Sequence, residues 1–218
     1  DALSHISFRV GKGQTLAIIG ATGSGKSTLI GLIPRFYDVT GGQVLVDGRD
    51  VREFTFDALY DRLGYVTQRA TLFSGTVQSN VFFGSGSAPE TDEALQKALD
   101  LSQAAEFVNS YPEGAQHRIA QLGRNVSGGQ KQRLAIARAL ARGAEILVFD
   151  DSFSALDYRT DAKLRAGLAA QMAGVTKIIV AQRISTIRHA DEILVLERGE
   201  LVGRGTHEEL LRSCEVYR

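Results

Sequence analysis

Short apolar runs of strand length alternate along this chain with segments of helical spacing. We predict strands at residues 16–19, 44–46, 64–66, 146–149, 177–181 and 192–196, and residues 1–8 also have strand character. Residues 198–200 resemble a turn that leads into a final edge hairpin at residues 201–202. Strands that alternate with helices indicate an α/β fold with a mainly parallel core sheet and, here, an antiparallel β edge.

Between residues 85 and 121 the pattern changes from short apolar runs of strand length to helical spacing. Residues 93–101 and 103–108 have helical spacing, and Ala94, Leu95, Ala98 and Leu99 form one apolar stripe. A polar loop at residues 84–89 separates this region from the preceding segment. We therefore predict a single domain over residues 1–218, with a core of residues 1–84 and 122–218 and a helical subdomain of residues 85–121.

Composition and charge narrow the possible functions. The chain has 218 residues, of which 44% are hydrophobic, and its 25 basic residues balance its 25 acidic ones. A formal net charge of zero gives no electrostatic reason to bind nucleic acid or an anionic membrane surface. The single cysteine, Cys214, rules out an internal disulfide and suits a reducing compartment. No apolar run approaches the roughly 20 residues that cross a bilayer.

A glycine-rich loop between the first predicted core strand and a helix carries the strongest chemical signal. Its residues are Gly20, Ala21, Thr22, Gly23, Ser24, Gly25, Lys26 and Ser27, followed by Thr28 in the predicted helix at residues 28–33. This spacing is typical of a phosphate-binding loop, in which glycines turn backbone N–H groups towards an anion and the helix dipole adds positive potential. Lys26 can reach the β- and γ-phosphates and Ser27 can bind Mg²⁺. The alternative is a chance glycine-rich turn.

A second strand supplies an acid for the same site. Residues 146–149 are apolar and end at Asp150, whose carboxylate can hold Mg²⁺ opposite Ser27. The alternative is a buried strand whose final aspartate caps the next turn. Because a phosphate-binding loop is present in the same chain, we favour the metal-binding interpretation.

The segment Val126-Ser127-Gly128-Gly129-Gln130 precedes an amphipathic helix. Two glycines at a helix start leave N–H groups and bare backbone exposed, which is a second candidate phosphate site. Because residues 20–27 already form one cradle, a second one indicates a nucleotide bound across a dimer. The alternative is an N-capping serine with a flexible helix start.

The ordered set of motifs resembles the nucleotide-binding domain of ABC transporters. It comprises Walker A (residues 20–27), the Q-loop glutamine Gln68, the signature (residues 126–130), Walker B (residues 146–150) and the D-loop (residues 154–157). Residues 72–77 and 35–38 resemble the exporter branch. The resemblance implies that ATP and Mg²⁺ bind at Walker A, with Gln68 near the metal and the reacting water, and that the signature and Asp157 contact nucleotide across a dimer with a second such domain. It also implies transmembrane domains as partners, a position at the cytoplasmic face of a membrane, and no nucleic acid.

Three residues depart from the family's pattern. Asp151 stands where the family has a catalytic glutamate, Gln182 stands at the switch histidine, and Gln121 replaces a glutamate in the loop before the signature. Aspartate is one methylene shorter, and glutamine cannot carry imidazolium charge or relay a proton. We therefore expect a site that binds ATP and hydrolyses it poorly, as in the degenerate half of a heterodimeric exporter. The alternatives are that Asp151 works after a backbone adjustment and that Gln182 is a tolerated polar loop residue.

Other functions remain open at the level of sequence. One is a regulatory module that holds ATP and donates its signature; others are a fully active ABC ATPase, or an ABC-type ATPase of DNA repair or translation. The neutral charge and the exporter-like segment at residues 68–80 argue against the last. The family stacks adenine on an aromatic residue upstream of the strand that contains Phe8, and we expect that residue before Asp1, in a longer parent chain. Phe8 itself is expected in the core.

Overall fold

A computed structural model of the chain describes residues 2–218. The strands are β1 (Thr15–Ile19), β2 (Leu45–Val46), β3 (Arg49–Asp50), β4 (Leu63–Val66), β5 (Gly75–Thr76), β6 (Arg118–Ile119), β7 (Ile146–Asp150), β8 (Thr176–Val180), β9 (Glu192–Glu197) and β10 (Glu200–Gly205). The helices are α1 (Lys26–Gly31), α2 (Phe56–Tyr60), α3 (Val77–Val81), α4 (Asp92–Leu101), α5 (Ala105–Asn109), α6 (Gly128–Ala141), α7 (Tyr158–Gln171), α8 (Ile184–Ile187) and α9 (His207–Ser213).

The central sheet has six strands in the order β10-β9-β1-β8-β7-β4. All neighbours are parallel except β10 and β9, which form the antiparallel edge hairpin predicted from the turn at residues 198–200. Because parallel strands end at the same edge of a sheet, the loops after β1, β4, β7 and β8 meet there. The mainly parallel α/β fold is thus confirmed.

Each face of the sheet has its own apolar core. Alternate residues of β7 divide between them: Leu147 and Phe149 join the larger cluster, with α6, α7 and α4, whereas Val148 joins a smaller one with Leu29 and Ile30 of α1. The middle residues of β1, β7 and β8 are all buried. A strand buried on both faces needs a continuous apolar run, which is the pattern that the sequence has.

Several predicted boundaries shift in the structure. The strand expected over residues 1–8 is wrong for residues 2–8: burial alternates there, and Ser4 N–H bonds to Gly199 O at 2.8 Å, but no strand pairing forms. Asp1 lies outside the described residues. Phe8 is partly buried against the smaller core, as expected. The helix expected at residues 28–33 ends at Gly31, and α5 begins at Ala105 because Gln103 adopts a left-handed φ of 61°.

Candidate functional site

The loop between β1 and α1 has a backbone that only glycine suits at several positions. Gly23 and Gly25 adopt φ angles of 82° and 100°, a region that side-chain-bearing residues rarely occupy. A Cβ atom on Gly20 would collide with the carbonyl oxygen of Leu196 on the neighbouring strand β9. The glycine spacing is therefore required by the loop's own conformation.

Lys26, the first residue of α1, folds back over this loop. Its ammonium donates hydrogen bonds to Gly20 O at 2.7 Å and Ala21 O at 2.8 Å, and the residue is only 9% exposed. Burial lowers the pKa of Lys26, while the negative charges of Asp151 and Asp150 oppose that shift. The ammonium thus lies at the mouth of the loop, within the field of two carboxylates.

Ser27 and Asp150 bring two oxygen groups together from different elements. The Ser27 hydroxyl donates to Asp150 Oδ1 at 3.0 Å, joining the start of α1 to the end of β7. Burial raises the pKa of Asp150, and Asp151 adds to the shift, whereas the Ser27 hydrogen bond and Lys26 oppose it. Thr28 follows in α1 and is half-buried. The structure thus brings Ser27 and Asp150 into contact, and their binding of Mg²⁺ stays a prediction.

Asp151 occupies the centre of a cluster at three adjacent strand ends. Its Oδ2 accepts hydrogen bonds from Gln182 Nε2 at 2.8 Å and from Gln68 Nε2 at 3.2 Å. Asp151 follows β7, Gln68 follows β4 and Gln182 follows β8. The aspartate is 7% exposed and its φ is 47°, a left-handed value that is uncommon for a residue with a side chain. Both glutamines are exposed, so this cluster is open on one side.

The turn after Asp151 is fixed by its own hydrogen bonds. Ser154 donates its hydroxyl to Asp151 O at 2.8 Å, and buried Ser152 donates to Val66 O at 3.0 Å. Asp157 then caps α7, accepting from the N–H and the hydroxyl of Thr160. These bonds lower the pKa of Asp157. The residue is exposed, so its carboxylate points away from the core.

Residues 127–130 form an exposed helix start at a separate place. Ser127 and Gln130 make a capping box: the Ser127 hydroxyl accepts from Gln130 N, and Gln130 Oε1 accepts from Ser127 N. A Cβ on Gly128 would meet nothing within 4 Å, and one on Gly129 only Ala155 O at 3.6 Å. Among the hydrogen bonds of residues 2–218, none joins residues 127–130 to residues 20–28. The structure therefore does not bring these two predicted phosphate sites together within one chain.

Two contacts between these elements were not predicted from the sequence. Gln132 of α6 donates to Thr67 O at 3.3 Å, next to Gln68. Asp161 of α7 is 1% exposed, bonds to Arg165 and lies 3.5 Å from the hydroxyl of Thr186, four residues after Gln182. In the sequence, Asp161 is recognisable as an acid one helical turn after Asp157. Its contact with Thr186 could not be predicted, because the two residues are 25 positions apart.

Gln121 lies on the surface. It begins a short 3₁₀ turn, Gln121–Gly123, directly after β6, and its side chain is exposed. Over residues 2–218, no cluster of three or more acidic, histidine or cysteine side chains could by itself hold a metal ion. Within the same part of the chain, every helix is too short or too polar to traverse a lipid bilayer.

Comparison with known proteins agrees with this geometry. A family described as ABC transporter matches residues 3–154. An uncharacterised ABC transporter ATP-binding protein of Mycobacterium tuberculosis is 51% identical over 218 residues, which is 99% of this chain and 37% of that protein. An ATP-dependent lipid A-core flippase of Albidiferax ferrireducens is 46% identical over 216 residues, again 99% of this chain and 37% of that protein.

A solved structure of a bacterial Atm1-family ABC exporter with ATP bound superimposes with a TM-score of 0.94 at 38% identity. The match covers 99% of this chain and 38% of that one. The chain therefore spans little more than a third of the length of the relatives it matches. Over that third, the order of the motifs, the fold and the identities agree, and the chain belongs to the ABC transporter family as an ATP-binding domain of the exporter type.

Proposed function

We propose that this chain binds Mg²⁺-ATP at residues 20–28 and, paired with a second nucleotide-binding domain, drives export by a membrane transporter. The observation that carries the proposal is the convergence of Lys26, Ser27 and Asp150 at the mouth of the glycine loop. Backbone N–H groups of the loop and the Lys26 ammonium would hold the phosphates. The Lys26 ammonium bonds to two loop carbonyls in this structure, and a small movement of the side chain would bring it to a phosphate oxygen.

The oxygen donors present fit a magnesium ion. Mg²⁺ is usually bound by one or two carboxylates together with substrate phosphates and water, not by an all-protein cage. Ser27 Oγ and Asp150 Oδ1, 3.0 Å apart, supply a hydroxyl and a carboxylate of that kind, and Gln68 adds an amide nearby. When bound, the ion neutralises charge on the β- and γ-phosphates. Asp150 keeps the Ser27 hydroxyl directed towards this position.

The signature at residues 127–130 supports pairing with a second domain. Alanine is more favourable than glycine by about 0.4–1 kcal/mol where the backbone allows either, because it restricts the unfolded chain, yet nothing in this chain requires glycine at Gly128. Bare backbone with free N–H groups is what a phosphate of a partner's nucleotide would need. Gln130 braces Ser127 through the capping box, which keeps that surface rigid. Asp157 lies exposed at the start of α7, where a partner could contact it.

We further propose that the chain's own site hydrolyses ATP poorly. A general base must reach its proton directly or through one water, and Asp151 is held back by two amides on a single carboxylate oxygen. Gln182, at the position of the switch histidine, donates an N–H to Asp151 and cannot relay a proton. These features support a heterodimer in which the partner's site is active and is completed by this chain's signature.

The test compares ATP turnover of the purified domain alone with turnover after mixing with a candidate partner domain. We expect slow turnover alone and strong turnover in the mixture that is lost with Ser127→Arg in this chain. The same variant retains binding of ATP at the chain's own loop. Fast turnover by the lone domain that Asp151→Asn abolishes would contradict the assignment.

A second candidate is a regulatory module that holds ATP and turns it over little. The tethering of Asp151 favours it as much as it favours the heterodimer. The two differ in the mixture with a partner domain: an export motor shows strong ATP turnover there, whereas a regulatory module keeps turnover low both alone and paired. The transmembrane domains and a position at the cytoplasmic face of the membrane belong to the same proposal, because this chain spans only 37% of its exporter relatives.

A further inference from the structure

A cavity of about 500 Å³ lies away from the glycine loop, between the sheet and helices α7 and α8. Its floor is a patch of two paired strands, in which Thr15 is opposite Lys177 and Ala17 is opposite Ile179. These four side chains share one face of the sheet because residues two apart in a strand point the same way. A volume of this size is in the range that binds small organic molecules.

Small side chains on α7 leave this space open. Ala162, Ala166 and Ala169 line the cavity and recur at helical spacing, so they occupy one side of the helix. Leu168 closes the cavity towards the larger core, and residues 185–190 line the opposite side. The lining is therefore largely apolar, with room that longer side chains on α7 would have filled.

The charged side chains that line the cavity are all basic. Arg165, Lys177 and Arg188 line it, whereas no aspartate or glutamate does. Arg165 is paired with Asp161, which is buried behind it. The Arg188 guanidinium donates to His189 Nε2 at 3.0 Å, which leaves its positive charge uncompensated by that contact. An anion in this space would meet positive charge and an apolar surface together.

Lys177 is the most informative of the three. It is 5% exposed, and its ammonium donates to Met172 O at 2.7 Å and Val175 O at 2.9 Å, past the end of α7. These bonds account for two of its three N–H donors. Burial lowers the pKa of Lys177, and the charge of Asp191 opposes that shift. The two carbonyl contacts are accounted for by capping of α7, and Lys177 also lines the cavity.

We propose that this cavity binds a small organic anion with an apolar body, of the aromatic carboxylate class. The ring would lie on Ala162, Ala166 and Ala169 of α7, above the buried floor strands, and the carboxylate would accept from Lys177. The cavity lining contains none of residues 20–28, although α7 begins next to Asp157 and α8 begins two residues after Gln182.

The test uses the full chain, 1-naphthoate as the probe and 1-naphthamide as its neutral counterpart. Amide chemical shifts are followed during titration with each compound. We expect saturable shifts from 1-naphthoate at the floor strands and α7, and binding of 1-naphthamide at least about tenfold weaker, since a neutral carbonyl replaces a charged carboxylate as the acceptor for the ammonium. Equal binding of the two compounds, no saturable shift, or shifts confined to residues 20–28 would overturn the proposal.

Variants separate the cavity from non-specific binding. Ala162→Leu fills the space and should abolish the shifts, whereas Ala170→Leu, on the same helix but exposed and outside the lining, should leave them unchanged. Lys177→Met keeps the length of the side chain and removes its charge, so 1-naphthoate should bind no better than 1-naphthamide. If Lys177→Met fails to fold, the comparison of the two probes on the unaltered chain decides the matter. Unchanged binding by Ala162→Leu would also refute the site.

Discussion

The side-chain amide of Gln182 donates a 2.8 Å hydrogen bond to Oδ2 of Asp151, across 31 residues of sequence. The sequence predicts both residues as departures from the family's pattern, and the structure brings them together at the ends of neighbouring strands β8 and β7. Gln68 donates to the same oxygen from the end of β4. The two predicted departures therefore form one cluster, in which a single carboxylate oxygen of Asp151 accepts from two amides.

Restoring both residues should increase hydrolysis. In the double variant Asp151→Glu and Gln182→His, the carboxylate extends by one methylene and gains a neighbour that can relay a proton. Because general base catalysis contributes about 10²–10⁴-fold, we expect turnover by the domain to rise at least about tenfold over the unaltered chain. Phosphate release under saturating ATP measures this.

The control for this change is Asp92→Glu, which adds the same methylene in the first turn of α4, at an exposed position. It should leave turnover unchanged. No increase in the double variant, with ATP binding intact, would show that neither residue limits hydrolysis.

Removing the charge of Lys26 should weaken nucleotide binding. Lys26→Met keeps the apolar stem and deletes an ammonium that lies over the loop carbonyls of Gly20 and Ala21. Loss of a charge-assisted contact of about 1.5–3 kcal/mol corresponds to about 10- to 100-fold in affinity. Titration calorimetry with a non-hydrolysable ATP analogue measures it. Lys163→Met on the exposed side of α7 is the control, and equal effects of the two would contradict the assignment.

The same ammonium makes nucleotide affinity sensitive to alkaline pH. Burial lowers the pKa of Lys26 below its ordinary 10.5, so the free protein loses this proton at a lower pH than an exposed lysine does. Phosphate binds the protonated form, and affinity should therefore fall as pH rises through the lowered pKa. The measurement covers about pH 8 to about pH 10.5, and the upper limit is the ordinary pKa of lysine. Over this range the affinity for nucleotide should decline in the unaltered chain and stay constant in Lys26→Met. A flat profile for both proteins would exclude this role.

Gly128→Ala should affect folding and pairing in opposite directions. Its Cβ would meet nothing within 4 Å, and alanine restricts the unfolded chain, so the lone domain should gain about 0.4–1 kcal/mol. The added methyl group would lie on the surface offered to a partner's phosphate, so dimerisation with ATP should weaken. Thermal unfolding and analytical ultracentrifugation measure the two effects.

Gly41→Ala provides the matched control, because its Cβ also meets nothing within 4 Å and its backbone is not left-handed. It should raise stability in the same way and leave dimerisation unchanged. If Gly128→Ala pairs as well as Gly41→Ala does, the glycine has no role at an interface.

Arg138 of α6 connects that helix to α3 and to the segment that precedes α3. Its guanidinium donates to Asn80 O at 2.8 Å, Thr71 O at 2.9 Å and Asn80 Oδ1 at 3.1 Å, and burial lowers its pKa to about 10. Lysine cannot cover three acceptors in a plane, so Arg138→Lys should lose about 2 kcal/mol of unfolding free energy. Urea denaturation checks this against Arg159→Lys, an exposed change on α7 that should be neutral.

The phosphate-binding loop and the strand framework could be predicted from the sequence because their determinants are local. Gly23 and Gly25 adopt backbone angles that glycine favours, and the apolar run of β7 matches a strand buried on both faces. Local pattern was not sufficient for the strand expected over residues 1–8. Its alternating pattern is present, yet a strand also needs a partner, and pattern alone does not supply one.

The chemical groups of this domain can be identified from the order of its residues alone: the glycine loop, the acid after β7, the bare helix start at Gly128, and Asp151 and Gln182. Which of these groups lie close together depends on the fold. Parallel strands end at one edge of the sheet, so Gln68, Asp151 and Gln182 converge there although they are 83 and 31 residues apart in sequence. The cavity beside Lys177 likewise depends on strand register and helix packing, which are long-range properties that no local pattern encodes.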